Sequence, residues 1–206
     1  MRMRPASARK PARNGEVRMT QTLVFGGARS GKSAYAEQLA RDSGKEVLYL
    51  ATAQAGDGEM ATRIAHHRAQ RPGEWPTVEE PLRLGAALLR HARPGRLLLV
   101  DCLTLWLTNL MFSSGEAYPD VGDIVLPELF HSERAHFLTA LAELEHGGCD
   151  IVLVSNEVGM GIVPYGAISR CFTDEAGRLN QAVAAACERA VFVAAGLPLV
   201  LKGGPC

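Results

Sequence analysis

An apolar run at residues 22–25 gives way to Gly26-Gly27-Ala28-Arg29-Ser30-Gly31-Lys32-Ser33, and residues 32–41 contain neither Gly nor Pro and are rich in helix formers. The octapeptide is a full match to G-x-x-x-x-G-K-[ST], and a position between strand and helix is the context that motif requires. Its glycines let the backbone curl until successive N–H groups and the helix N-terminus face an anion. In such a loop Lys32 reaches the β- and γ-phosphates, and the Ser33 hydroxyl is placed to ligate Mg²⁺. A strand that delivers its end to a phosphate and hands over to a helix commits the chain to a layered α/β fold. The motif predicts nucleotide binding; it does not choose a reaction.

The same alternation recurs downstream. Strands are predicted at 46–51, 96–101 and 150–155, and two closing strands at 190–194 and 197–202 flank Gly196-Leu197-Pro198. Helices are predicted at 57–71, 81–91, 126–146 and 175–189, and residues 113–122 (SSGEAYPDVG) form the clearest loop. Continuous apolar strands separated by helices predict a mostly parallel sheet covered on both faces, a three-layer α/β domain.

The 206 residues carry 22 basic and 22 acidic side chains. The first 18 residues hold six Lys/Arg and one acid, which leaves 16 basic against 21 acidic residues and a body at net −5. That balance argues against nucleic acid as a partner and favours small-molecule chemistry. Residues 1–18 read as a disordered basic extension and 19–206 as a single catalytic domain. Five cysteines at irregular spacing, with no CxxC pair, suit a reducing compartment, hence the cytoplasm. The apolar runs are too short and interrupted for an integral membrane segment.

Asp101 ends the run RLLLVD, where a carboxylate would hold the metal opposite Ser33; a helix cap is a compatible role, because LTLWLTNL follows. Cys102 stands where many ATP-hydrolysing motors place a water-activating Glu, which turns the reading away from a motor. In DGEMATRIAHHRAQR, about 100° per residue aligns Met60, Ile64, His67 and Arg71 and turns His66 away. A neutral imidazole can attack phosphorus, and a guanidinium one turn on can stabilise the charge that develops. Spacing alone favours a solvated or packed histidine over a nucleophile. Asn156-Glu157-Val158-Gly159-Met160-Gly161 follows the strand DIVLVS and is predicted to line the cleft at that strand's carboxyl end. Arg178, Asn180 and Gln181 read as a solvated helix face.

Taken in order, GGARSGKS, LYLATAQ, EMATRIAHHRAQRP, NEVGMGIVP and AGRLNQ resemble the bifunctional adenosylcobinamide kinase/adenosylcobinamide-phosphate guanylyltransferase family over nearly everything from residue 22 onward. The resemblance implies a RecA-like P-loop NTPase fold, a homotrimer, and ATP and GTP as substrates with Mg²⁺. It implies phosphorylation of adenosylcobinamide, followed by GMP transfer from GTP to adenosylcobinamide-phosphate through a GMP-histidine that matches His67. It implies nucleotide contacts at Gly26, Gly27, Ala28, Arg29, Ser30, Gly31, Lys32, Ser33, Thr52, Ala53, Gln54, Arg71, Glu79 and Asp101, with Ser33 and Asp101 on the metal side. Asp101 is a departure, since some relatives carry Glu there. A kinase restricted to a small hydroxylated substrate and a P-loop regulatory switch are the competing readings.

Overall fold

Alternate residues of each strand enter two different cores. Leu23, Leu98, Val100, Ile151 and Leu153 pack on one face of the sheet, and Val24, Leu97, Leu99, Val152 and Val154 on the other. That two-sided burial is why these strands read as unbroken apolar runs. The computed structural model of the chain describes residues 21–53 and 73–204. Its strands are β1 (Gln21–Gly26), β2 (Glu46–Ala51), β3 (Thr77–Glu79), β4 (Arg96–Asp101), β5 (Asp150–Asn156), β6 (Arg189–Ala194) and β7 (Leu197–Lys202). Its α-helices are α1 (Lys32–Asp42), α2 (Leu84–His91), α3 (Leu103–Met111), α4 (Glu128–Glu143) and α5 (Ala167–Ala186).

The strands form one sheet in the order β3-β2-β4-β5-β1-β6-β7, parallel throughout except for the β6–β7 hairpin. β5 therefore stands between β1, which carries the phosphate-binding loop, and β4, which carries Asp101. On one face α1 covers the sheet through Ala36 and Ala40. On the other, α2, α3, α4 and α5 enclose a larger core around Trp106, Phe130 and Phe137. This is the predicted three-layer architecture.

Several boundaries differ from the sequence reading, and four differences have a visible physical reason. α5 begins at Ala167, eight residues before the predicted start. Ser169, Thr173 and Gly177 break the apolar pattern in that stretch, yet Phe172 and Cys171 still pack on the core and hold it helical. α2 begins at Leu84 and not at 81, because the Glu80 carboxylate accepts the N–H groups of Leu82 and Arg83 and organises a turn there. The three-residue β3, a strand with no apolar run of its own, is held by pairing with β2. The helix predicted to end at 146 finishes its α-helical part at Glu143 and closes with a 3₁₀ turn, Leu144–His146. The helix predicted at 57–71 lies outside the described residues.

Candidate active site

Parallel register brings five strand ends to one edge. Gly26 lies opposite Asn156, Asp101 opposite Val154 and Ala51, and Ala51 opposite Glu79. The carboxyl ends of β1, β5, β4, β2 and β3 thus share the edge where α/β sheets bind ligands.

At Gly26 the chain must pass tight against β6. A Cβ there would lie 2.2 Å from the Val193 carbonyl oxygen, so no side chain fits. The loop then tightens through a Ser30 N–H to Gly27 carbonyl bond of 3.2 Å and enters α1 at Gly31 with φ 93°. That positive φ is open to glycine at little steric cost. Gly196, at the β6–β7 turn, donates its N–H to the Ser30 carbonyl at 2.8 Å and braces the loop from outside. We expect Gly26→Ala to destabilise the fold by about 3 kcal/mol, read as a lower urea midpoint, because the obstacle is backbone and cannot rotate away.

Lys32 is buried although charged, and its Nζ donates to the Gly27 carbonyl at 3.1 Å, which holds the ammonium across the loop. Burial pulls its pKa below the usual lysine range, and the carboxylate of Asp101 opposes that pull. Cys102 adds no negative charge at neutral pH. Burial first, and Asp101 beside it, push its thiol up to about 11, so it stays protonated. Ser30 Oγ is buried inside the loop with no hydrogen-bond partner among the described residues. A hydroxyl left that way suits a site whose complement is supplied by a ligand.

Asp101 does not cap the helix that follows. The N-cap position of α3 is Cys102, and no side-chain cap bond forms there. The Asp101 carboxylate instead accepts the Tyr49 hydroxyl through Oδ2 at 2.8 Å. Tyr49 is buried on β2, two residues before the position opposite Asp101, so it shares that face and its ring packs in the α1-side core. The carboxylate is thereby turned toward the side of the sheet that α1 and Lys32 occupy.

Thr52 is a clamp. Its Oγ1 accepts the Cys102 N–H at 2.9 Å and donates to the Cys102 carbonyl at 2.8 Å, while its own N–H bonds the Asp101 carbonyl at 3.2 Å. Asn109 of α3 donates to the Thr52 carbonyl at 2.8 Å and to that of Pro81 at 3.1 Å. Thr52 therefore fixes the ends of β2 and β4 relative to each other, and the half-exposed Ala53 is the next residue at the edge. Glu79, at the end of β3, is exposed beside Ala51. Gln54, His67 and Arg71 lie outside the described residues.

Asn156 and Glu157, predicted to line the cleft, stand at that edge, and Asn180 joins them. Asn156 donates to Thr104 Oγ1 at 2.6 Å, tying the end of β5 to the first turn of α3. Glu157 donates its N–H to the Gly26 carbonyl at 3.0 Å, and its carboxylate accepts the Gly159 N–H at 2.6 Å. Its side chain thus shapes the turn that leaves β5. Asn180, predicted to be solvated, is buried: it accepts the Ser155 hydroxyl at 2.6 Å and donates to the Asn156 carbonyl at 3.1 Å. Its neighbours Arg178 and Gln181 are exposed, as that reading had them. Asn180→Leu leaves both partners unpaired, and we expect a loss of about 1–3 kcal/mol, seen as a lower urea midpoint at unchanged slope.

Mg²⁺ fits this donor set. The Ser33 hydroxyl and Asp101 carboxylate are hard oxygen ligands, and the neighbouring thiol is held protonated. Among the described residues no cluster of three or more His, Cys, Asp or Glu could cage an ion alone.

Residues 22–201 match the family model described as cobinamide kinase / cobinamide phosphate guanyltransferase. The chain belongs to this family. Among curated members of the cobinamide kinase/guanyltransferase family, the bifunctional adenosylcobalamin biosynthesis protein CobP of Pseudomonas aeruginosa is 55% identical over 183 residues, covering 89% of this chain and 98% of that protein. The bifunctional adenosylcobalamin biosynthesis protein CobU of Escherichia coli is 43% identical over 181 residues, 87% of this chain and 98% of that protein. Among solved structures, an ATPase from a bacterial type III secretion system is similar with a TM-score of 0.51 and 13% identity, over 88% of this chain and 56% of that one. That likeness shows the fold, that of a RecA-like P-loop NTPase. This family member is an enzyme of cobinamide phosphate chemistry, and no described helix is long and apolar enough to cross a membrane.

Proposed function

We propose that this chain carries out two successive reactions of adenosylcobalamin biosynthesis at one phosphate cradle. In the first, the aminopropanol hydroxyl of adenosylcobinamide attacks the γ-phosphorus of ATP or GTP. The β–γ bond breaks, and the nucleoside diphosphate leaves. In the second, an imidazole nitrogen of His67 attacks the α-phosphorus of GTP, the α–β bond breaks and pyrophosphate departs. An oxygen of adenosylcobinamide-phosphate then attacks the GMP phosphorus, the P–N bond breaks, and adenosylcobinamide-GDP forms with histidine regenerated.

The observation that carries this reading is the family match over 22–201, with a buried lysine and an oriented carboxylate at the same sheet edge. Backbone N–H groups of residues 26–33 and the α1 N-terminus bind the triphosphate, and Lys32 neutralises charge on the phosphates. Mg²⁺ on Ser33 and Asp101 would offset charge on phosphate oxygens. Tyr49 holds Asp101 in place for that role. Thr52, Ala53, Gln54, Arg71 and Glu79 are further nucleotide contacts, and Arg71 stabilises phosphate charge in the step that uses His67. The enzyme works in the cytoplasm as a homotrimer built from one catalytic domain per chain. No nucleic acid partner is involved, in keeping with the acidic body.

Chromatography of reactions with adenosylcobinamide, GTP and Mg²⁺ tests the reading. Successive appearance of the phosphate and then the GDP derivative, with pyrophosphate equal to the latter, is the expected course. Accumulation of the phosphate alone would limit the chain to the kinase step.

A further inference from the structure

The segment NEVGMGIVP remains without a role in phosphate chemistry. It leaves β5 beside the phosphate loop, through the bond from Glu157 to Gly26. It then displays apolar side chains to solvent: Met160 is 77% exposed, Ile162 99% and Val163 76%. Exposed apolar residues grouped at the mouth of a site mark a binding surface more often than residues scattered singly.

The facing wall is α5. Asn180 bonds Ser155 and Asn156, so residue 180 is level with the carboxyl edge of the sheet. α5 starts at Ala167, which carries its first turns about 20 Å beyond that edge. Arg170 donates to the Pro164 carbonyl at 3.3 Å and also to that of Tyr165, fastening the segment to the projecting helix. Between segment and helix lies a groove of about 680 Å³. Val158, Ile162 and Val163 line one side, and Arg170, Thr173, Asp174, Gly177, Arg178 and Gln181 the other. Gly177 sits inside a 20-residue helix, a position where glycine weakens the helix, and a Cβ there would meet nothing within 4 Å. Neither packing within the protein nor a positive φ calls for glycine at this position. Its effect is to leave the groove wall open on that side.

We propose that this groove is the acceptor subsite and holds the corrinoid ring of adenosylcobinamide; the assignment rests on the two-step reading above. A corrinoid is a broad apolar ring system rimmed with carboxamides. It matches an apolar wall facing a polar and charged one, where Thr173, Asp174, Arg178 and Gln181 can exchange hydrogen bonds with amides. The segment that walls the groove is joined to the phosphate loop by the Glu157–Gly26 bond, so a ring seated there lies on the side from which its aminopropanol arm can extend toward the nucleotide. It is open enough for one edge of the ring to be held while the rest stays in solvent.

The test is titration of adenosylcobinamide, followed by its visible absorbance, against wild type, Gly177→Leu and the double variant Ile162→Ser/Val163→Ser. GTP binding and thermal midpoint are measured alongside. Leucine at 177 fills the groove and favours the helix, and residues 162 and 163 are exposed, so all three proteins are expected to fold. A corrinoid Kd raised about 30-fold in Gly177→Leu and about 10-fold in the double variant, with GTP Kd within about twofold of wild type, is the expected result. An unchanged corrinoid Kd in the folded variants would overturn the proposal, as would a weakened GTP Kd with corrinoid binding intact. Failure of wild type itself to bind adenosylcobinamide while binding GTP would instead remove the two-step reading, and the groove assignment with it.

Discussion

Lys32→Ala is expected to lower both phosphorylation of adenosylcobinamide and guanylyl transfer by about 10³-fold, in a protein that folds as well as wild type. The two reactions break different bonds of the triphosphate, but both develop charge on oxygens held by the same loop. Lys32 is the buried cation of that loop, with its ammonium over the Gly27 carbonyl and its pKa pulled down by burial. Removing it deletes a preorganised positive group from a partly water-excluded site, where such groups act most strongly. The same burial makes the lysine costly to the folded protein, so the thermal midpoint should stay level or rise. Steady-state rates for each step, with a thermal melt on the same preparation, check this; a large loss of one step with the other intact would separate roles assigned here to one residue. Lys32→Arg should rescue little, since a planar fork cannot replace a point charge in the curled loop.

His67→Ala is expected to behave differently. Guanylyl transfer should fall by about 10⁴-fold or more, because the nucleophile of the covalent route is gone, while the kinase rate should remain within about fivefold of wild type. The kinase step transfers the γ-phosphoryl group directly to the corrinoid hydroxyl and needs no imidazole at the α-phosphorus. His66→Ala is the matched control, because a helix over 57–71, as the sequence predicts, would turn it about 100° from His67. Product analysis of the three proteins at saturating GTP distinguishes the cases. Equal loss of both steps in a folded His67→Ala would mean that the histidine serves binding common to both reactions.

The phosphate loop and most strands were legible in the sequence because each is a local signal. GGARSGKS is contiguous, and strands buried on both faces are short apolar runs that no polar alternation blurs. The family could be read from motifs spread along the chain, and the comparison with curated relatives agrees. What the sequence concealed depends on pairing between distant segments. β3 has no apolar run of its own and exists because β2 offers it a partner. Asn180 looks like one polar residue on a polar helix face until the fold places it beside Ser155 and the Asn156 carbonyl, 24 residues and more away in sequence. Tyr49 reads as a core aromatic of β2, and only the β2–β4 register shows that its hydroxyl reaches Asp101. Asp101 illustrates the converse: the residue before a helix is the usual place for a cap, but Tyr49 holds the carboxylate and the cap position passes to Cys102. Thr52 was assigned as a nucleotide contact by resemblance, and its geometry shows a second task, clamping Cys102 between two strand ends.

The covalent guanylyl intermediate is the central claim, and intact-protein mass after incubation with GTP and Mg²⁺, with and without acid, tests it most directly. The account predicts a GMP-sized adduct on wild type that is lost in acid, survives base and does not form on His67→Ala, the behaviour of a phosphoramidate. Wild-type protein that binds GTP yet shows no adduct would contradict it and leave a P-loop kinase acting on the corrinoid hydroxyl alone.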